Sequence, residues 1–140
     1  MPKTKNQNKP QPSTQEKLES VAAWLQEKQA AQTLALDLSR LNSVTEAVII
    51  TSAANQRHAQ ALADWVLQKL GEKDWEFLGL EGYQHGTWIL MDLNDLVLNI
   101  FQQKYRDFYN LEGLWHGAGV LWRDAQEQPQ NREQEKGAQE

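Results

Sequence analysis

A chain of 140 residues suits a single domain, and without a cysteine it can form no disulfide, zinc-thiolate site or thiol nucleophile. With 14 Lys and Arg against 19 Asp and Glu, the formal net charge is −5, which argues against direct nucleic-acid binding through clustered basic side chains and favours a basic protein as partner. No apolar run is long enough to span a bilayer and the N-terminus lacks the apolar stretch of a signal peptide, so a cytoplasmic protein without membrane contact is expected.

Residues 1–12, MPKTKNQNKPQP, are polar, lack a hydrophobic period and hold three of the four prolines. They read as a disordered tail, with one α/β domain expected over residues 13–122. Ser13 followed by Glu16 has capping-box spacing, and Leu18, Val21, Ala22 and Leu25 then share one helical face. TLALDLS (residues 33–39) and EAVIITSA (residues 46–53) read as strands. NQRHAQALADWVLQKLG opens with Asn55 as N-cap and is expected to close at Gly71, with Ala59, Leu62, Ala63, Val66 and Leu70 as its buried stripe. WEFLGLEG (residues 75–82) reads as a further strand. Tyr105, Phe108 and Tyr109, spaced i, i+3, i+4, predict a short closing helix. Residues 123–140 are polar and read as a second disordered tail. The order α, β, β, α, β, β, β, α implies a mixed, about five-stranded sheet with helices packed on it.

The most informative stretch is WILMDLNDLVLNIF, residues 88–101. Asn94 and Asp95 tolerate the left-handed backbone of a tight turn and separate two alternating apolar runs, the signature of a β-hairpin. A two-residue loop pairs Asp92 with Val97, Met91 with Leu98, Leu90 with Asn99, Ile89 with Ile100 and Trp88 with Phe101. Side chains alternate across a strand, so Ile89, Met91, Leu93, Leu96, Leu98 and Ile100 form one wholly apolar face. That face belongs to the core. The other carries Trp88, Leu90, Asp92, Val97, Asn99 and Phe101, too apolar for solvent and too polar for a second core. It has the make-up of a docking surface. The alternative is that a helix covers this face and Asp92 caps a neighbouring backbone group.

Three motifs in order, RHAQALAD, then LEG followed by GTWILMDLNDLVLNIF, then YRDFYNLEGLW, resemble the ribosomal silencing factor family, also called Iojap-related, over about residues 34–115. The resemblance implies a nucleotidyltransferase-like α/β domain that lacks the transferase's catalytic set and uses no cofactor. It also implies binding to ribosomal protein L-fourteen (uL-fourteen) on the joining face of the large ribosomal subunit. Subunit joining would be blocked and translation repressed during nutrient limitation. Carried over by motif, the docking residues are Trp88, Asp92, Leu93 and Asp95, with Leu90 and Glu81 beside them. The chain departs from the family pattern at Ala53, where glycine is usual, at Glu46 in a Thr-Asp pair, at Asn99 in place of a histidine, and at Asn94 in place of a glycine. Residues 116–125, HGAGVLWRDA, outlast the family's usual ending.

Two rival readings are a nucleotide-transferring enzyme and a plain dimerisation module, the aromatic patch then serving a homodimer. The enzyme needs clustered carboxylates for two metal ions, and Asp37, Asp92 and Asp95 are the candidates, yet no Asp-x-Asp pair and no glycine-rich phosphate cradle occur. His58, His85 and His116 are scattered and predict no metal site, His58 reading as a surface or capping residue. Ser39, Ser43 and Ser52 have no His–Asp arrangement to activate them. Trp24, Trp65, Trp75, Trp115 and Trp122 read as packing residues.

Overall fold

The computed structural model describes residues 10–41, 44–110, 113 and 117–124, so the tail assignments for residues 1–9 and 125–140 lie outside it, as do Ser43, Trp115 and His116. The described residues form helices α1 (Thr14–Glu27), α2 (Gln56–Lys73) and α3 (Gln103–Tyr109). The strands are β1 (Ala31–Asp37), β2 (Ala47–Ala53), β3 (Gly79–Glu81), β4 (Trp88–Asp92), β5 (Leu96–Gln102) and β6 (Gly119–Arg123). No helix among them is long and apolar enough to cross a membrane.

Both long helices start where the sequence predicts, because a polar side chain satisfies an otherwise unpaired amide. Ser13 Oγ accepts from the Glu16 amide at 3.0 Å, and Asn55 Oδ1 accepts from the His58 amide at 2.8 Å. The predicted stripes are buried in full: Leu18, Val21, Ala22 and Leu25 on α1, and Ala59, Leu62, Ala63, Val66 and Leu70 on α2. The expected stop at Gly71 is corrected. α2 runs on to Lys73 and ends on Asp74, whose φ of 60° is left-handed and whose amide bonds the Gly71 and Leu70 carbonyls. Aspartate tolerates that conformation, so the helix needs no glycine there.

The sheet has the order β3-β4-β5-β2-β1-β6, with β2 and β5 parallel and every other pair antiparallel. One face carries Ala35, Ile49, Ile89, Met91, Leu98 and Ile100 and packs under α1 and α2 as the main core. The opposite face holds a smaller core of Leu34, Leu36, Leu38, Val48, Ile50 and Phe101, against which Trp88 packs.

The mixed α/β class is observed, but the sheet has six strands rather than about five. β6 escapes sequence reading because none of its residues is fully buried, so it lacks the in–out alternation that marks a strand. It exists by pairing with the free edge of β1, a contact between residues far apart in sequence. The strand expected over residues 75–82 shrinks to Gly79–Glu81, while Trp75 and Phe77 pack on the main core without laddering. Apolar burial at a sheet margin does not require strand pairing. The folded domain also reaches past residues 13–122. Gln11 accepts from the Glu76 amide at 2.9 Å, Arg123 belongs to β6, and the buried Asp124 donates its amide to the Thr33 carbonyl at 2.9 Å.

Candidate functional site

The hairpin of β4 and β5 pairs in the register the sequence predicts, from Trp88 with Phe101 to Asp92 with Val97. Leu93 donates its amide to the Leu96 carbonyl at 2.8 Å, and Asn94 takes a φ of 82°, the left-handed conformation that the turn demands. All six residues of the predicted core face are buried.

The second face is split. Trp88, Leu90, Asp92 and Val97 are half-buried, whereas Phe101 is buried and Asn99 is only 2% exposed. The covering-helix reading of this face therefore holds at its far end, which α3 covers, while the near end stays half-buried. Tyr109 on α3 lies 5.1 Å from Trp88 and 5.5 Å from Phe101 between ring centroids, and Trp88 stacks on Phe101 at 5.1 Å. The Trp88 indole N–H donates to Asn99 Oδ1 at 2.8 Å, and Asn99 Nδ2 donates to the Ile49 carbonyl at 3.5 Å. With its one donor satisfied and one side packed, Trp88 presents an oriented apolar surface to solvent.

β3 extends this face. Glu81 is exposed opposite Leu90, and Gly79 lies opposite Asp92. Gly82, which follows Glu81, has a φ of 81°, and a Cβ there would sit 2.2 Å from the Trp88 carbonyl oxygen. Only glycine permits β3 and the start of β4 to approach so closely. The short closing helix expected from Tyr105, Phe108 and Tyr109 is observed as α3, but those aromatics do not form its buried side. The buried residue of α3 is Arg106, whose guanidinium donates to Ser52 Oγ at 3.0 Å and to the Gln32 carbonyl. Phe108 is 79% exposed and stands edge-on to Tyr109 at 5.2 Å, which continues the aromatic surface from Trp88 onto α3. Its apolar spacing alone signals burial, which is why the sequence conceals it.

The acidic residues of the turn have different roles. Asp92 Oδ1 accepts from the Asn94 amide at 2.9 Å, and Oδ2 makes no hydrogen bond among the described residues. Asp95 is engaged on both oxygens: Oδ1 accepts from Lys17 Nζ at 2.6 Å, and Oδ2 from Thr14 Oγ1. Leu93, placed at the docking surface by resemblance, is corrected to the core: it is 0% exposed beside Met91, because its side chain falls on the helix-covered face.

Burial raises the Asp95 pKa, but the hydrogen bonds from Lys17 and Thr14, with the Lys17 charge, outweigh it and hold the carboxyl below the ordinary carboxylate value. A depressed folded-state pKa means that the unfolded chain binds the proton more readily. The stabilisation is complete above about pH 4 and is lost as pH falls through the folded value. Thermal melts should therefore show the gap in Tm between the wild type and Asp95→Asn closing as pH drops below about 4. A gap constant from neutral to strongly acid pH would show that the Asp95 charge is not the source.

The residues weighed for other chemistry do not converge. Asp37 accepts from the Ser39 amide and hydroxyl at 2.9 and 2.7 Å, which lowers its pKa. Ser52 bonds Gln32 and Arg106, and His85 is exposed. His58 Nδ1 accepts from the Ala54 amide at 2.9 Å, so its proton sits on Nε2, 2.8 Å from the Lys28 carbonyl. It therefore ties the end of α1 to the start of α2. Trp24 is buried against Trp75, and Trp65 donates to Glu27 at 3.0 Å with Lys28 and Lys69 over its ring. Among the described residues no three His, Asp or Glu side chains are grouped as a metal site would need. Ala53 needs no positive φ, so alanine serves at the end of β2 without strain.

The profile of the family described as "Ribosomal silencing factor during starvation" matches residues 11–140. This chain belongs to the ribosomal silencing factor family. It is 32% identical over 91 residues to "Ribosomal silencing factor RsfS" of Halalkalibacterium halodurans, an alignment covering 65% of this chain and 78% of that one. The protein of the same name from Bacillus subtilis is 32% identical over 86 residues, covering 61% and 73%. The crystal structure of a protein from Chromobacterium violaceum superposes with a TM-score of 0.73 at 31% identity, covering 76% of this chain and 88% of that one. A crystal structure from Bacillus halodurans gives 0.67 at 32% identity, covering 73% and 95%. The fold of this chain is thus shared with these two solved structures, and the three motifs read in the sequence lie within the residues that the family matches.

Proposed function

We propose that this protein silences the large ribosomal subunit by docking on ribosomal protein L-fourteen through the β3–β4–β5 face, so that the small subunit cannot join and translation is repressed when nutrients are short. The observation that carries this reading is Trp88. It is a half-exposed tryptophan with its indole N–H already satisfied, flanked by half-buried Leu90 and Val97 and by an Asp92 oxygen that accepts no bond within the described residues. Such a surface gains by being covered, since a rigid aromatic loses little conformational freedom on binding. Asp92 and Glu81 give it a negative rim that suits a basic partner, in keeping with the net charge of −5. Phe108 extends the apolar area onto α3. The action is steric, performed in the cytoplasm on free large subunits, with no cofactor.

The test is titration of purified protein into separated subunits while joining is followed by light scattering. Inhibition is expected to saturate at one protein per large subunit, with no nucleotide requirement, and the protein should co-sediment with large subunits but not with joined ribosomes. Substoichiometric inhibition that depends on added ATP and magnesium beyond the ribosome's own needs would replace this reading with an enzymatic one.

A further inference from the structure

Lys17 is the anomaly of α1. It stands beside Leu18 on the buried side of the helix with 2% of its surface exposed, where an apolar residue would cost nothing in desolvation. Its ammonium makes two bonds, and both reach the same short turn some eighty residues away. Nζ donates to the Leu93 carbonyl at 3.0 Å and to Asp95 Oδ1 at 2.6 Å. We infer that Lys17 is a positioning residue for the docking hairpin, which sets the Asp92–Asp95 turn from inside the fold so that the Asp92 carboxylate is aimed at the partner. The inference rests on the reading of this hairpin as the docking surface.

The connection runs through named atoms. Lys17 fixes the Leu93 carbonyl and the Asp95 side chain, the residues on either side of Asn94. The Asp95 carbonyl accepts from the Glu46 and Ala47 amides at 3.0 and 3.1 Å, which anchors the turn to the start of β2. Thr14 Oγ1 lies within bonding distance of both Asp95 Oδ2 and Glu46 Oε1; its single proton serves one of them at a time. Asn94 is thereby held at a φ of 82°, where its amide meets Asp92 Oδ1. That bond orients the Asp92 carboxylate and leaves Oδ2 without a hydrogen bond among the described residues. Asp95 has both oxygens committed inward and is itself a positioning residue, so Asp92 is the hairpin carboxylate that meets the partner.

Binding to isolated large ribosomal subunits tests this with Lys17→Met in two backgrounds. The second background is Asp92→Asn, which keeps the oxygen that accepts from Asn94 and removes the charge. Lys17→Met is expected to weaken binding about tenfold in the wild-type background and to have almost no effect in Asp92→Asn, because a residue that acts by aiming a charge has nothing to aim once the charge is gone. Amide hydrogen exchange at Asn94 should speed up in Lys17→Met while Ile49 and Ile100 in the core stay protected. Should Lys17→Met fail to fold, Asp95→Asn is the substitute and should show the same dependence on background. Equal losses in both backgrounds, or no loss in either while Trp88→Ala and Asp92→Asn do weaken binding, would overturn the inference and leave the docking surface intact. If Trp88→Ala and Asp92→Asn bind like the wild type, the docking surface itself is wrong and the inference goes with it.

Discussion

Trp88→Ala is expected to weaken binding to L-fourteen by about 2 kcal/mol, roughly thirtyfold, which is the usual cost of truncating a tryptophan at the centre of an interface. The structure sharpens this expectation. Trp88 is stacked on Phe101, packed at a tilt against Tyr109 and bonded to Asn99, so in the proposed interface it would be already in place and spend little conformational entropy on binding. The same contacts mean that the variant loses some stability, on the order of 1–2 kcal/mol for a half-buried aromatic, and leaves Asn99 Oδ1 without its donor. Binding titrations below the melting transition separate the two effects. A Trp88→Ala protein that melts somewhat earlier but binds thirtyfold more weakly is the expected result. One that folds and binds like the wild type would show that the ribosome is held by another surface.

Met91→Ala, one residue removed from Leu90 along β4, should behave in the opposite way. Met91 is 0% exposed in the main core under α1 and α2, and its cross-strand partner Leu98 is buried as well. Truncating either leaves a cavity that rigid neighbours close only in part, at a cost of about 2–4 kcal/mol in folding stability. For a domain of this size Tm should fall on the order of 10 °C or more. Once folded, the variant should bind with little loss, because no atom of Met91 reaches the surface. The two substitutions lie on one strand and differ by the face they point to, so together they test the face assignment. An unfolded Trp88→Ala beside an unperturbed Met91→Ala would invert it.

The sequence by itself determined the hairpin, its register, its core face and the buried stripes of α1 and α2. The reason is that each depends on local periodicity: an alternation of two for strands, a spacing of three and four for helices, and an Asn-Asp turn that leaves one register. The family motifs were legible for the same reason, as short runs at fixed spacing. Periodicity says which residues share a face but not what lies above it. Only the tertiary structure decided that Tyr109 closes over Phe101 and leaves Trp88 half-open, or that Phe108 points outward although its spacing resembles a core stripe. β6 likewise exists only because β1 offers it a free edge. The turn carboxylates show the limit most clearly. Asp92 and Asp95 are equivalent as letters three positions apart, and the resemblance put both on the docking surface. The fold separates them by bringing Lys17 and Thr14 from the first helix onto Asp95 and by turning the Asn94 amide toward Asp92. Contacts across more than seventy residues leave no periodic trace in the chain, and it is such contacts that decide which charge is paired within the fold and which keeps an oxygen unbonded among the described residues.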